Sequence, residues 1–460
     1  MIIMKFGGTS LQDAAAIKQS VEIIAAKQDR SPVVVVSAMA GVTDALLRIA
    51  LAASARRFDE AASIIDQLRE RHLAAARELL NTVAEKSFNQ MALSIKENLR
   101  DVGGLARSVA TLGELTPRTQ DAIVSFGERL SSPLVAAALN ARRISAELVD
   151  SREFIITDER FTSAAPNSAE TEARSRDSLL PIINSGIVPV AQGFIGSTRE
   201  GVTTTIGRGG SDYSAALIGA ALGAEAIEIW TDVDGLMTAD PRVVPDALRI
   251  RVISFAEASE LSYFGAKVLH PSTVLPAVER AIPIHIYNTR NPDCEGTLIV
   301  ATPKGSRNLI KSIAFKRGVT IVNVASTRML LAYGFLRMIF EVFDRHKTSV
   351  DVVTTSEVSV SITLDNADQL EAIKQELGGF ADVSVERNKA IVCVVGDNLK
   401  FTPGVAARLF RAIEHTNVNM ISQGASEINL SFVTDESDAE RVVRSLHQEF
   451  FSNADPEVFD

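Results

Sequence analysis

The run Pro32-Val33-Val34-Val35-Val36 constrains this chain more than any other stretch. Side chains alternate between the two faces of a strand, so a run that is apolar at every position must be covered on both faces. That calls for an inner strand of a mostly parallel sheet with helices on each side. The neighbouring pattern agrees with this reading. Met1 to Phe6, Ile187 to Gln192, Ala226 to Thr231 and Ile282 to Tyr287 read as further strands, and Ala14 to Ala26 as a helix. Residues 45 to about 112 lack strand signals and are rich in Ala, Glu and Arg, so they read as a helical insertion. Thr116-Pro117 then opens one long helix to about Asn140, with proline in its first turn. The expected fold class is α/β over residues 1–300.

From about Asn308 the periodicity changes and an internal repeat appears. Gly334-Phe335-Leu336-Arg337-Met338-Ile339-Phe340 aligns with Gly404-Val405-Ala406-Ala407-Arg408-Leu409-Phe410, offset by 70. Ser349-Val350-Asp351 aligns with Asn417-Val418-Asn419, and Ser356-Glu357-Val358 with Ser426-Glu427-Ile428. Each copy reads as a ferredoxin-like βαββαβ module of about 70 residues. The second copy lacks a first strand unless Lys311 to Lys316 supplies it, so the first module is expected to be inserted into the second. The expected boundaries are 318–388 for the first module, and 308–317 with 389–452 for the second.

At about 150 residues per domain, 460 residues suggest two to four domains. Hydrophobic residues make up 46% and charged residues 23%, which is enough for a sizeable core and excludes a wholly disordered chain. Lys and Arg number 47 against 57 Asp and Glu, a formal net charge of -10. That balance argues against a nucleic-acid surface, which needs clustered positive charge. It leaves room for one small anionic substrate held by a few local cations. Cys294 and Cys393 read as reduced structural thiols. The six histidines, His72, His270, His285, His346, His415 and His447, show no metal-ligand spacing. No run reaches about 18 apolar residues, so no membrane span is expected. The glycines that follow the short apolar start rule out a signal peptide. A cytoplasmic location is expected, or an organellar stroma for a processed form.

Three glycine-rich loops carry the candidate chemistry. Lys5-Phe6-Gly7-Gly8-Thr9-Ser10 puts a lysine at a strand end, before glycines whose amides can face an anion. The same spacing also fits a β-turn with a surface lysine. Gly207-Arg208-Gly209-Gly210-Ser211-Asp212 precedes an apolar helix from about Ser214 to Leu222. Asp212 there suits either an N-terminal helix position or the binding of a zwitterion. Ser37 to Thr43 sets two hydroxyls after a buried strand. Segments around Thr231-Asp232, Asp240-Pro241-Arg242 and Phe264-Gly265-Ala266-Lys267 are nucleotide candidates, since ligands of open α/β sheets lie beyond the carboxyl ends of the strands. They read equally well as turns.

Taken together, these loops resemble the aspartate kinases of the amino acid kinase family. The resemblance also rests on Phe126-Gly127-Glu128-Arg129, Gly193-Phe194-Ile195-Gly196, Thr203-Thr204-Thr205-Ile206 and Phe264-Gly265-Ala266-Lys267-Val268-Leu269-His270-Pro271. The C-terminal repeat resembles that family's paired ACT domains. No dehydrogenase half follows them, so a monofunctional enzyme is expected.

The resemblance implies phosphorylation of the L-aspartate side chain by ATP with Mg²⁺. It implies Lys5 and Asp212 as catalytic residues, and Ser37, Thr43, Glu128 and Arg208 around the substrate. Lys5, Gly7, Gly8, Ser10, Thr231, Asp232, Arg242 and Lys267 would hold the nucleotide. Met237 stands where the family often has tyrosine near the adenine. In that family the metal sits among phosphates and water, so no protein ligand is assigned to it. An amino-acid effector, with lysine favoured, would bind in the first ACT module at Met329, Gly334, Phe335, Leu336, Ser349, Val350, Asp351, Ser356 and Glu357. A homodimer or higher homo-oligomer through these modules is implied, with no nucleic-acid or membrane partner.

Overall fold

The computed structural model describes residues 1–81, 85–264, 271–303, 309–326 and 333–460. Along the chain the strands are β1 (Ile2–Phe6), β2 (Pro32–Val36), β3 (Ala146–Val149), β4 (Val188–Gln192), β5 (Ile195–Ser197) and β6 (Thr203–Thr205). Next come β7 (Ala226–Thr231), β8 (Val252–Ser254), β9 (Ile284–Asn288), β10 (Thr297–Val300) and β11 (Ile310–Ala325). The last are β12 (Val353–Thr355), β13 (Ser359–Leu364), β14 (Asp382–Gly396), β15 (Met420–Gln423) and β16 (Asn429–Asp435). The chain forms two compact units, Met1–Leu236 with Leu269–Pro303, and Met237–Val268 with Lys304–Asp460.

In the first unit seven strands run in the order β3-β4-β2-β1-β7-β9-β10. All neighbouring pairs are parallel except β9 with β10. Every residue of β1, β2 and β4 is buried, so both faces of the sheet's centre are covered. A fully buried valine contributes about 1.5–3 kcal/mol, so Val33–Val36 make this the firmest part of the core. The helices are α1 (Ala14–Ala25), then the insertion α2 (Val42–Ser54), α3 (Phe58–Leu79) and α4 (Glu85–Leu112).

The single long helix expected from Thr116 is in fact two: α5 (Pro117–Val124) and α6 (Phe126–Ala141), meeting at Ser125. Thr116 caps α5 by accepting the Thr119 amide, a bond worth about 1 kcal/mol. By mean hydropathy, 1.2, the stretch Pro117–Ala141 is also long and apolar enough to cross a membrane, which a count of uninterrupted apolar residues had not suggested. It is a core helix pair: 78% of that window is buried, and it carries the buried acids Asp121 and Glu128. The remaining helices here are α7 (Ser168–Asn184), α8 (Gly210–Leu222) and, after α9 (Phe255–Phe264) of the second unit, α10 (Leu275–Glu279). Helix α8 begins four residues earlier than its apolar pattern indicates, so Asp212 lies in its first turn. The edge strand β3 and the hairpin β5–β6 were not anticipated, being short and polar or glycine-broken.

The second unit holds a six-stranded antiparallel sheet in the order β12-β13-β11-β14-β16-β15. Helices α11 (Phe335–Arg345) and α13 (Val405–Ala412) each start after a glycine in the left-handed region, Gly334 and Gly404. The repeat extends to single hydrogen bonds. The Asp351 amide donates to Thr363 O at 3.1 Å and the Asn419 amide to Val433 O at 2.8 Å. Strands β11 and β14 are long and each serves both copies. Thr320–Ala325 pairs with β13 and with the start of β14, while Ile310–Lys316 pairs with the end of β14.

The second copy therefore has a first strand of its own in the end of β14, which leads into α13. Ile310–Lys316 occupies the position of its last strand, not the first. The other helices are α12 (Leu370–Leu377) and α14 (Ala439–Phe451).

Candidate active site

The carboxyl ends of β1, β2 and β4 open onto a cavity of about 550 Å³. Six of the residues assigned to catalysis and substrate line it: Lys5, Ser37, Thr43, Glu128, Arg208 and Asp212. Lys5 is the penultimate residue of β1 and is 9% exposed. Its Nζ lies 2.7 Å from Asp212 Oδ1, so the strand end and the first turn of α8 meet in a shielded ion pair. Arg208 is exposed and, among the described residues, has no ion-pair partner. Gly207 and Gly209, at φ 76° and 72°, take the left-handed conformations that turn Arg208 into the cavity.

Glu128 sits in the first turn of α6 and is 3% exposed. Its Oε1 accepts the Ala38 amide at 3.0 Å, tying α6 to the Ser37–Thr43 loop. Its Oε2 is buried and has no partner. Burial pushes the Glu128 carboxyl up to about 8, only partly opposed by the Ala38 amide. The helix comes this close because of Gly127, where a Cβ would fall 2.8 Å from Ala38 Cβ.

A second cavity, of about 200 Å³, lies beyond β7 and is lined by Ser10, Thr231, Asp232, Thr289 and Arg290 among others. The first glycine loop departs from expectation at two positions here. The Gly7 amide donates to Trp230 O at 3.0 Å, continuing the β1–β7 ladder, so it does not face a ligand. Ser10 Oγ is also engaged, with Trp230 O at 3.2 Å and Thr289 Oγ1 at 2.6 Å. Gly8 lines the larger cavity instead. Arg242 belongs to the second unit, where it is exposed and forked onto Asp240 at 2.6 Å. Lys267 lies outside the described residues.

In the repeat unit, Phe335 is a core residue, edge-on to Phe380, while Leu336 is exposed. Ser349, Ser356 and Glu357 are exposed and Val350 is half-buried. Asp351 Oδ1 accepts a hydrogen bond from Tyr263 Oη of α9, and its Oδ2 is buried without a partner. Burial and the facing Asp365 carboxyl push Asp351 up to about 6. Lys316, paired with Asp365, lies over the Tyr263 ring. Asp351 precedes β12 and Glu357 follows it, so the three strand residues Val353–Thr355, at about 3.3 Å each, set them roughly 10 Å or more apart along the backbone. Met329 lies outside the described residues.

Sequence reasoning missed Asp121. It is 1% exposed, lines the larger cavity, and precedes Glu128 by seven residues across the Ser125 junction of α5 and α6. A lone acid in α5, just before the apolar Ala122-Ile123-Val124, was the available signal.

Residues 1–288 match the Amino acid kinase family and residues 392–450 an ACT domain. Lysine-sensitive aspartokinase 3 of Escherichia coli strain K12 is 39% identical to this chain over 460 residues, covering 98% of this chain and 99% of that protein. The crystal structure of E. coli aspartokinase III with aspartate and ADP, an R-state, superposes with a TM-score of 0.84 at 38% identity, covering 98% of this chain and 100% of that one. The T-state of the same enzyme, with lysine and aspartate, gives a TM-score of 0.83 at 38% identity and the same coverage.

Proposed function

The chain belongs to the amino acid kinase family, as an aspartokinase that phosphorylates the side-chain carboxylate of L-aspartate with ATP, and from that premise we propose how its residues divide the work. The observation that carries the assignment is the cavity shared by Lys5, Ser37, Thr43, Glu128, Arg208 and Asp212. The nucleophile is a carboxylate with an ordinary pKa near 3.9. It is ionised at neutral pH, so no general base is needed. The barrier lies in bringing an anion in line with a triphosphate, which calls for fixed positive charge and positioning.

Lys5 faces the oxygens of the transferring phosphoryl group, and Asp212 holds its ammonium in place. The aspartate carboxylate oxygen bonds to the γ-phosphorus as the bond to the ADP oxygen breaks. Arg208 grips a substrate carboxylate with its planar fork, Glu128 takes the ammonium on its open Oε2, and Ser37 and Thr43 add hydroxyl contacts. Gly8 supplies the backbone amide facing the phosphates. Thr231 and Asp232 hold the nucleotide in the second cavity, with Ser10 bracing its wall.

Among the described residues no three His, Cys, Asp or Glu side chains converge to cage a metal. The Mg²⁺ ion that the reaction calls for would sit among phosphate oxygens and water. When bound, it neutralises phosphate charge.

The effector is lysine, in the first ACT module, with its carboxylate on the amides at the start of α11 and an ammonium on Asp351. Ser349, Val350 and Ser356 line this site. Glu357, exposed in the turn after β12, takes the second ammonium of the effector. A homodimer or higher homo-oligomer through these modules is part of the same proposal. A coupled ADP-release assay offering aspartate, glutamate or UMP tests the reaction, and only aspartate should turn over. Lysine, threonine and methionine titrated into it test the effector. Inhibition by threonine and not by lysine would overturn that part.

A further inference from the structure

Asp121 is buried beside the substrate cavity yet has no place in the chemistry above. Its carboxylate is fully engaged with backbone and side chain. Oδ2 accepts the amides of Thr162 and Thr205, both at 2.9 Å, and Oδ1 accepts the Thr205 hydroxyl at 2.7 Å. Both partners line the cavity.

Thr205 ends β6, and two residues later the chain enters Gly207-Arg208-Gly209. Thr162 has φ 74°. That is a left-handed conformation costly for a β-branched residue, one that persists only where the surroundings enforce it. The loop containing Thr162 also packs beneath Gly207, because Thr162 O is 3.4 Å from where a Cβ on Gly207 would sit. One carboxylate thus fixes both the strand that delivers Arg208 and the loop under it. In the first turn of α6, Glu128 does the same for the Ser37–Thr43 loop through the Ala38 amide.

We propose that Asp121 is a positioning residue for aspartate binding: it straps Thr205 and the Thr162 turn so that Arg208 meets the substrate carboxylate. The inference rests on the reading of Arg208 as the carboxylate clamp.

Asparagine can stand in for this acid. Its carbonyl oxygen can take both amides while its NH₂ faces the Thr205 hydroxyl, which turns to accept. Alanine cannot. Hydrogen bonds to a charged group are strong, and losing three of them should move Arg208 well off its productive position.

The test is steady-state kinetics of full-length variants with fold checked by circular dichroism. Asp121→Ala should raise KM for aspartate at least about tenfold while KM for ATP stays within about twofold, and Asp121→Asn should restore aspartate KM to within about threefold of wild type. In an Arg208→Ala background Asp121→Ala should add less than about twofold, because the two act as one unit. Unchanged aspartate KM in Asp121→Ala overturns the proposal. So does Asp121→Asn as impaired as Asp121→Ala, which would mean a charge contacting substrate. So do equal effects in both backgrounds. If Asp121→Ala does not fold, Thr205→Val decides: a rise of about threefold or more, absent in the Arg208→Ala background, supports the strap, and no rise overturns it. Arg208→Ala alone separates the two readings, since an unmoved aspartate KM there means the clamp assignment itself has failed.

Discussion

Glu128 in the kinase unit and Asp351 in the repeat unit are both proposed to receive an ammonium group, and each is half-prepared in the same way. One oxygen is held by the protein and the other is buried, without a donor at Glu128 and facing the Asp365 carboxyl at Asp351. Burial raises both pKa values, to about 8 and about 6. What differs is the group that holds them. Glu128 is held by a backbone amide, on a helix braced through Gly127 against the same loop, and it lines a cavity. Asp351 is held by the phenol of Tyr263, one residue before the end of α9. A main-chain donor cannot leave without moving the loop, whereas a phenol can be displaced by a competing cation. On the proposed roles, the substrate-side acid is fixed and the effector-side acid is exchangeable. Exchange at Asp351 frees the end of a helix, the kind of local event a regulatory transition needs.

The hardest test of the preassembled half is its ion pair. Lys5→Ala removes the cation aimed at the transferring phosphoryl, and such a loss costs about 2.7–4 kcal/mol, or roughly 10²- to 10³-fold in kcat. The fold should survive, because Asp212 remains half a turn into a helix start, where negative charge is favourable. A folded Lys5→Ala enzyme with near-normal kcat would remove the basis for calling this cavity catalytic.

Glu128 gives the next largest effect. Its carboxyl is largely protonated at pH 7, being held near pKa 8 by burial, and only the ionised form attracts the substrate ammonium. Aspartate must therefore pull a proton off before it binds. Apparent KM for aspartate should fall by about tenfold from pH 7 toward pH 8.5 and level off above it, one unit of pKa being about 1.4 kcal/mol. In Glu128→Gln the slope should vanish, leaving a high KM at every pH. A flat wild-type profile would place the ammonium elsewhere.

Much of this was legible in the sequence where the signal is local. The all-apolar Val33–Val36 run demanded a doubly covered strand, and the offset of 70 gave the repeat. Loop glycines marked the turn before α8, because the left-handed backbone at Gly207 and Gly209 leaves a residue-type trace. What stayed hidden depends on pairing across long separations. Nothing in Gly7 says that its amide stays in a ladder with Trp230, 223 residues away. Nothing in Lys311 to Lys316 says whether it is the first or the last strand of the second module, since its strand signal suits either. Asp121 reads as one more helical acid until Thr162 and Thr205 are seen around it.

The smallest effect discriminates best between a fixed and an exchangeable acid. If a lysine ammonium must displace the Tyr263 phenol from Asp351, Tyr263→Phe removes the competitor and keeps the ring under Lys316. A hydrogen bond of this kind is worth about 1 kcal/mol net, so half-maximal inhibition should occur at about fivefold lower lysine, with uninhibited activity nearly unchanged. Asp351→Ala should do the reverse, relieving inhibition while leaving that activity intact. The pH dependence also has a defined sign. Asp351 titrates near 6, raised by burial and by Asp365, with Lys316 and the Tyr263 phenol as its other polar neighbours. Protonation below that value discharges the acid, so lysine inhibition should weaken between pH 7 and pH 5.5. Linkage requires that aspartate and ATP weaken lysine binding by the same factor by which lysine weakens theirs. Equilibrium titration of lysine into wild-type and Tyr263→Phe protein, with and without substrates, measures each of these quantities. Weaker lysine binding in Tyr263→Phe would mean that the phenol is part of the effector pocket and that Asp351 is as fixed as Glu128.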